Sequence, residues 1–186
     1  MKSRITSNIG YPYHPLKELR LLTICAINSM EIQSDFKELL ELFNSHKVEY
    51  LIIGAYALAF YGAPRYTGDI DIFVNPHPTN ALRIINALNE FGFGSLDLKA
   101  DDFTTTGQII QLGVPPARVD IITSISGVSW QEAEAGKVSG RCGGIEVNFV
   151  GREQFIANKR ATGRQKDLAD LESLGEITET KSGRRD

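Results

Sequence analysis

Short runs of strand-forming residues alternate along this chain with segments of helical period, and this alternation limits its possible folds more than any other feature. The strand-like runs are VEYLII (48–53), DIDIFV (69–74), QIIQLG (108–113), ARVDIIT (117–123) and IEVNFV (145–150). Amphipathic or apolar helical segments occur at 34–46, 55–62, 79–92, 130–135, 152–163 and 164–174. We therefore expect an α/β or α+β fold in which helices flank a short mixed β-sheet.

Other signals between these segments are weaker. A short strand is expected near 96–98 and a loop at 101–106. The glycine-rich stretch SGRCGG (139–144) is typical of a turn.

The pattern divides the chain into three parts. Residues 1–29 contain Gly10, Pro12 and Pro15 and show no sustained period, which predicts an irregular N-terminal appendage. Residues 30–175 contain all of the periodic segments and are expected to form the folded domain. Residues 176–186 are polar and are expected to be a disordered tail.

Charge and composition exclude several classes of function. Of the 186 residues, 20 are basic and 23 are acidic, so the whole molecule has no electrostatic attraction to nucleic acid or to an anionic membrane. No apolar run approaches the roughly 20 residues of a spanning helix. The two cysteines, Cys25 and Cys142, lack the CxxC spacing of redox and zinc sites. We expect a soluble, cytoplasmic protein without a membrane partner.

Three aspartates form the strongest chemical signal. Asp69 and Asp71 are one residue apart on a predicted strand, so both carboxylates project from the same face. Two like charges side by side repel, and a hard divalent cation such as Mg²⁺ or Mn²⁺ would neutralise them. Asp120 lies between apolar neighbours in another predicted strand. Three carboxylates on one small sheet match the needs of two-metal phosphoryl chemistry, with ions about 3.5–4 Å apart.

A predicted phosphate site lies next to these acids. The strand VEYLII leads to Gly54 at the start of a helix, and Ala55 follows. A residue without a side chain lets a phosphate approach the backbone, and the first turn of a helix has unpaired N–H groups. Gly54 and Ala55 are therefore candidate nucleotide-binding residues.

The pattern of strand, Gly54-Ala55, spacer, Asp69-Ile70-Asp71-Ile72 and later Asp120 resembles the DNA polymerase beta-type nucleotidyltransferase superfamily. The similarity is greatest to small bacterial members of the abortive-infection and toxin–antitoxin type, and it covers about residues 30–175. It implies a nucleotidyltransferase fold and Mg²⁺-dependent transfer of a nucleoside monophosphate from an NTP such as ATP to an acceptor hydroxyl, with release of pyrophosphate. It also implies that the protein could belong to a toxin–antitoxin or phage-defence system.

The same resemblance assigns roles to individual residues. The three aspartates match the family's catalytic, metal-binding acids, and Gly54 matches its phosphate-binding glycine. The family usually follows that glycine with Gly or Ser, so Ala55 is a departure that removes a hydroxyl but keeps the backbone N–H.

Basic and polar residues near these motifs complete the candidate site. Arg65 and Thr67 lie in the loop just before Asp69 and are candidate contacts for the nucleotide phosphates. The segment 152–166 contains five cations and one acid, including Lys159 and Lys166. The resemblance implies that both lysines bind the triphosphate. It also implies that the acceptor is an RNA end, a partner protein or a small molecule. The local positive charge favours an anionic acceptor such as tRNA.

Two other interpretations remain open at this point. One is a DxD glycosyltransferase, in which Asp69 and Asp71 would bind Mn²⁺ and a nucleotide sugar without any need for Asp120. The other is a non-catalytic, antitoxin-like binding module of the same fold, which Ala55 and the lack of room for an acceptor domain would suit.

Overall fold

The computed structural model of the protein describes residues 32–114 and 117–176. Its strands are β1 (Tyr50–Ile52), β2 (Asp69–Val74), β3 (Ile109–Val114), β4 (Ala117–Ile122), β5 (Val138–Cys142) and β6 (Ile145–Phe149). Its α-helices are α1 (Ser34–Ser45), α2 (Gly54–Phe60), α3 (Pro78–Leu88), α4 (Ala100–Thr104), α5 (Trp130–Ala135), α6 (Arg152–Thr162) and α7 (Gln165–Ser173). A π-helical turn, Asn89–Phe93, and a 3₁₀ turn, Gly94–Leu96, follow α3.

The six strands form one mixed sheet in the order β3-β4-β2-β1-β6-β5. The β1–β2, β3–β4 and β5–β6 pairs are antiparallel, whereas β2–β4 and β1–β6 are parallel. A parallel pair requires a crossover, and α3, α4 and β3 lie between β2 and β4 in the chain. The predicted class, a mixed sheet flanked by helices, is confirmed.

The hydrophobic core explains why these segments adopt their structure. The apolar face of α1 buries Leu39, Leu40 and Phe43 completely, as its helical period predicts. In β2 the alternation is equally plain, since Ile70 and Ile72 are at most 1% exposed while Asp69 and Asp71 on the other face are partly exposed. Each fully buried side chain of this size contributes about 1.5–3 kcal/mol, so the sequence pattern fixes which face of β2 carries the acids.

Two local predictions were wrong, and a third was right only in part. The 3₁₀ turn replaces the strand expected at 96–98, and α4 forms inside the predicted loop. Of the predicted turn at 139–144, Gly143 and Gly144 form a turn, whereas residues 139–142 belong to edge strand β5, where Gly140 pairs with Val147 of β6. A side chain at Gly140 would collide with the ring of Phe60, which stacks on Phe149 at a centroid distance of 4.2 Å. That glycine serves close packing rather than a turn, and local composition does not distinguish the two uses.

The predicted termini lie almost wholly outside the described residues. This is true of the appendage, 1–29, and of the tail after Glu176. Glu176 itself forms ion pairs with Arg152 and Arg160 of α6. None of the helices in 32–114 and 117–176 is long and apolar enough to span a lipid bilayer.

Candidate active site

Gly54 lies where β1 ends and α2 begins, and its backbone has a left-handed φ of +62°. A Cβ on this residue would overlap the carboxylate of Asp71, which packs directly against the glycine. The backbone confirms this closeness, because the N–H of Ile53 donates to the carbonyl of Asp71 at 3.0 Å. Glycine is therefore required here both by conformation and by the approach of Asp71. The predicted contact of a phosphate with the Gly54 backbone stays a prediction, because Asp71 fills only the space that a side chain would need.

Ala55 occupies the first turn of α2 and is buried, with 3% of its surface exposed. Its methyl group is on the buried side of the helix. The predicted nucleotide-binding role of Ala55 therefore stays a prediction that concerns only its backbone.

The three aspartates lie together on neighbouring parallel strands. In the β2–β4 register, Asp71 is directly opposite Asp120, and Asp69 precedes Asp71 by two residues. Register partners in a parallel pair point to the same face, as do residues two apart on one strand. Asp120 is the most buried of the three, with 7% of its surface exposed. The sheet thus brings together the acids that the sequence selected.

The environment separates the protonation behaviour of Asp69 and Asp71. The hydroxyl of Thr67 donates to Oδ1 of Asp69 at 2.5 Å, and this bond, with the charge of Arg118, lowers the pKa of Asp69 despite partial burial. Burial raises the pKa of Asp71, and the charges of Asp69 and Asp120 raise it further. The surroundings therefore disfavour the ionised form of Asp71 and favour that of Asp69.

An arginine that the sequence argument overlooked lies inside this acidic group. Arg118 is the register partner of Asp69 and precedes Asp120 by two residues, so it shares their face of the sheet. Its Nη2 donates to Asp69 Oδ2 at 2.6 Å and its Nε donates to Asp120 Oδ1 at 2.8 Å. Gln111 of β3 also points its amide at both oxygens of Asp120, at 3.4 Å. The i, i+2 spacing of Arg118 and Asp120 in ARVDIIT could have revealed this pair.

The donor set suits a hard divalent cation, because it consists of carboxylate oxygens on one face of two adjacent strands. The present side-chain arrangement is not that of a formed metal site. In the part of the chain that the structure describes, no three Asp, Glu, His or Cys side chains are grouped so that they could hold a metal ion. The oxygens of Asp69 and Asp120 are instead bonded to Arg118, Thr67 and Gln111.

Lys159 has a different environment from the one expected of a phosphate ligand. It is 5% exposed, and its Nζ donates to Asp167 and to Asp170 at 2.7 Å each. Arg164 pairs with Asp167 at 2.6 Å. These contacts join α6 to α7. The charge of Lys159 also favours the ionised form of Asp71, and its predicted phosphate role stays a prediction.

Arg65 belongs to the same ionic network. Its Nε donates at 2.9 Å to Asp170, whose side chain is 4% exposed. This pair fixes the loop before β2 to α7. The guanidinium is 41% exposed, so one side of it still faces solvent, and its predicted contact with nucleotide phosphate stays a prediction.

Lys166 is the basic residue best placed for an anionic ligand. It is exposed, and no hydrogen bond or ion pair joins it to another residue within 32–114 or 117–176. Its charge acts on both Asp69 and Asp71, in each case favouring the ionised carboxylate. The structure therefore places a free ammonium group within electrostatic range of the acids.

A large cleft lies at the opposite end of the sheet. It has a volume of about 930 Å³ and is lined by residues after β2 and at the start of β1, by α5 and by the β5–β6 hairpin, among them Glu49, His77, Trp130, Arg141 and Asn148. None of the three aspartates lines it. The acidic group is therefore separate from this cleft.

The comparisons with known proteins identify similar solved structures. No protein-family model matches the sequence, and no curated protein matches it. A candidate nucleotidyltransferase from Thermotoga maritima aligns with 75% of this chain and 88% of its own, at 14% identity and a TM-score of 0.47. The lincosamide antibiotic adenylyltransferase LnuA, bound to lincomycin, aligns with 79% of this chain and 98% of its own, at 14% identity and a TM-score of 0.48.

Proposed function

We propose that the protein is a nucleotidyltransferase dependent on Mg²⁺ or Mn²⁺. The observation that carries this proposal is the register of β2 and β4, which sets Asp71 opposite Asp120 and keeps Asp69 on the same face. Two acids on one strand could be ordinary solvated residues at the edge of any sheet. A third acid on the adjacent strand, on the same face, completes a set of carboxylate oxygens of the kind that a hard divalent cation prefers.

Asp69, Asp71 and Asp120 are the residues that would hold the cation. When bound, it would neutralise charge on the nucleotide phosphates and lower the pKa of a coordinated hydroxyl. Thr67 keeps Asp69 ionised through its short hydrogen bond. Lys166 supplies positive charge to the triphosphate from the solvent side.

The reaction is a displacement at the α-phosphorus of an NTP. The acceptor oxygen forms a bond to that phosphorus, the bond to the β-phosphate oxygen breaks, and pyrophosphate leaves. Asp120 accepts the proton of the acceptor hydroxyl, because it is the acid that faces Asp71 from the neighbouring strand. ATP is the first nucleotide to test, and the exposed charge of Lys166 favours an anionic acceptor such as tRNA over a neutral small molecule. Such an activity would suit a toxin–antitoxin or phage-defence system.

Incorporation of label tests the proposal. The protein is incubated with each α-³²P-labelled NTP, Mg²⁺ or Mn²⁺, and separate cell fractions of RNA, protein and small molecules. We expect label in one fraction, and a loss of at least 100-fold in Asp71→Asn. The matched control is Asp97→Asn, since Asp97 is 92% exposed and asparagine accepts its left-handed φ of +49°.

Equal incorporation by wild type and Asp71→Asn would contradict the proposal. Asp120→Asn separates the two enzymatic alternatives, because a DxD glycosyltransferase does not need this residue. Calorimetry with NTP and Mg²⁺ tests the non-catalytic alternative, which predicts no binding at millimolar nucleotide.

A further inference from the structure

The parallel register of β2 and β4 places four charged side chains in a two-by-two array. Asp69 is beside Arg118, and Asp71 is beside Asp120. All four project from the same face, since each strand contributes residues two apart. An arginine thus occupies one corner of what would otherwise be an entirely acidic array.

The contacts of Arg118 connect the two outer acids. Its Nη2 bonds to Asp69 at 2.6 Å, and its Nε and Nη2 bond to the two oxygens of Asp120 at 2.8 and 3.1 Å. The planar fork of a guanidinium suits this bridging of carboxylates, which a single ammonium group cannot reproduce. In this conformation the positive charge lies between Asp69 and Asp120, where a cation shared by these acids would have to lie.

We propose that Arg118 is a resident counter-ion of the acidic group, and that its ion pairs and the binding of a divalent cation by Asp69 and Asp120 exclude each other. Like charges repel, so a divalent ion close to the guanidinium is unfavourable until the side chain withdraws. The side chain is 31% exposed, whereas that of Asp120 is 10% exposed. The arginine therefore has a route to solvent, while the acid stays in place. This inference rests on the proposed function for the identity of the cation.

The exchange explains why the acids lie together without forming a metal-binding group. With Arg118 in place, both oxygens of Asp120 and one of Asp69 accept hydrogen bonds from the guanidinium. Binding of the cation has to replace those bonds. Arg118 consequently lowers the affinity of the acidic group for a divalent cation. When no cation is bound, its positive charge reduces the repulsion between the carboxylates.

Calorimetric titration of Mn²⁺ without nucleotide tests this exchange. We expect Arg118→Gln to bind Mn²⁺ at least ten-fold more tightly than wild type, and Arg118→Lys to lie between the two. The matched control is Arg141→Gln, since Arg141 is an exposed β5 arginine with a long ion pair of 3.5 Å to Glu146. It should leave the Mn²⁺ affinity unchanged. Adding Asp120→Asn to Arg118→Gln should abolish the gain.

A second measurement uses the wild-type protein and does not depend on the variants folding. In wild-type protein labelled with ¹³C and ¹⁵N, the Arg118 Nε signal is assigned by through-bond correlation to its own backbone. We expect it to lose its protection from solvent exchange when Mg²⁺ is added, because its bond to Asp120 breaks. An unchanged Arg118 signal at saturating Mg²⁺ overturns the proposal. So does a folded Arg118→Gln protein whose Mn²⁺ affinity is within two-fold of wild type.

Both measurements omit the NTP, so they fail or succeed separately from the proposed function. A ten-fold gain in Mn²⁺ affinity without any nucleotidyl transfer would support the role of Arg118 and contradict the enzyme. Transfer activity in the wild-type protein, together with an unchanged Mn²⁺ affinity in Arg118→Gln, would support the enzyme and contradict the role of Arg118.

Discussion

Replacement of Gly54 by alanine tests the closest contact of the candidate site. The new Cβ would overlap the carboxylate of Asp71, and the residue would remain at a left-handed φ of +62°. The left-handed conformation alone costs about 1–2 kcal/mol for alanine. Displacing Asp71 from its preferred rotamer costs about 0.5–1.5 kcal/mol more. We expect Gly54→Ala to lower the free energy of unfolding by about 1.5–3.5 kcal/mol.

The matched control is Gly175→Ala. Gly175 has a similar φ of +76°, and a Cβ there would meet no atom within 4 Å, so only the backbone cost of about 1–2 kcal/mol applies. Urea unfolding of both variants, followed by circular dichroism in EDTA, gives the difference that belongs to Asp71. Nucleotidyl transfer should fall at least 100-fold in Gly54→Ala and stay unchanged in Gly175→Ala. Equal destabilisation of the two variants, or full activity in Gly54→Ala, would refute the argument that glycine is needed for the approach of Asp71.

Three further substitutions follow from the ion pairs and hydrogen bonds around the site. Asp167→Asn removes one of two carboxylates from buried Lys159 and should destabilise the protein by about 3 kcal/mol at pH 7. Burial opposes the ionised form of Asp167, but hydrogen bonds from its basic partners outweigh burial and lower its pKa. The stabilisation by Asp167 is therefore present above its unfolded pKa of about 4 and is lost as the pH falls through its folded pKa. Urea melts at pH 7 and pH 3 measure this loss. Thr67→Val removes the 2.5 Å bond to Asp69, so the pKa of that carboxyl rises and transfer should fall about ten-fold, most strongly at the acid end of the pH–rate profile. Lys166→Met should raise the KM for the NTP about ten-fold, and its unfolding free energy should change by less than about 0.5 kcal/mol because the lysine is exposed.

Each of these has a control in the same chain. Glu134→Gln breaks an exposed ion pair with Lys137 and should change stability by less than about 1 kcal/mol at either pH. Thr67→Ser keeps the hydroxyl and should retain most of the activity. Lys137→Met removes a lysine at the opposite end of the sheet and should leave the KM unchanged. An Asp167→Asn penalty as small as that of Glu134→Gln would show that the buried network contributes little.

The shape of the candidate site follows partly from local rules. The one-residue spacing of Asp69 and Asp71 places both on one strand face, and the apolar residues between them choose the solvent-facing side. The glycine between a predicted strand and a predicted helix also marked Gly54 as a candidate site residue. The structure adds a second physical reason for that glycine, since the carboxylate of Asp71 fills the space that a side chain would need, and the predicted phosphate contact of its backbone stays a prediction.

The basic residues were harder to interpret. Lys159 and Lys166 stand seven residues apart in one positively charged segment. Their charge pattern gives no indication that the first is buried between Asp167 and Asp170 while the second is exposed. Burial depends on how α6 and α7 pack together, which involves contacts beyond a single helix.

The sequence by itself determined the alternation of strands and helices, the apolar and acidic faces of β2, and the three aspartates as its chemical residues. Only the tertiary structure decided that β4 lies next to β2, so that Asp71 faces Asp120 and Asp69 faces Arg118. The physical reason is that periodicity is a local property, which fixes the face of a strand on which a side chain lies. The neighbouring strand is selected by core packing between segments about fifty residues apart, and that selection placed a guanidinium among the acids.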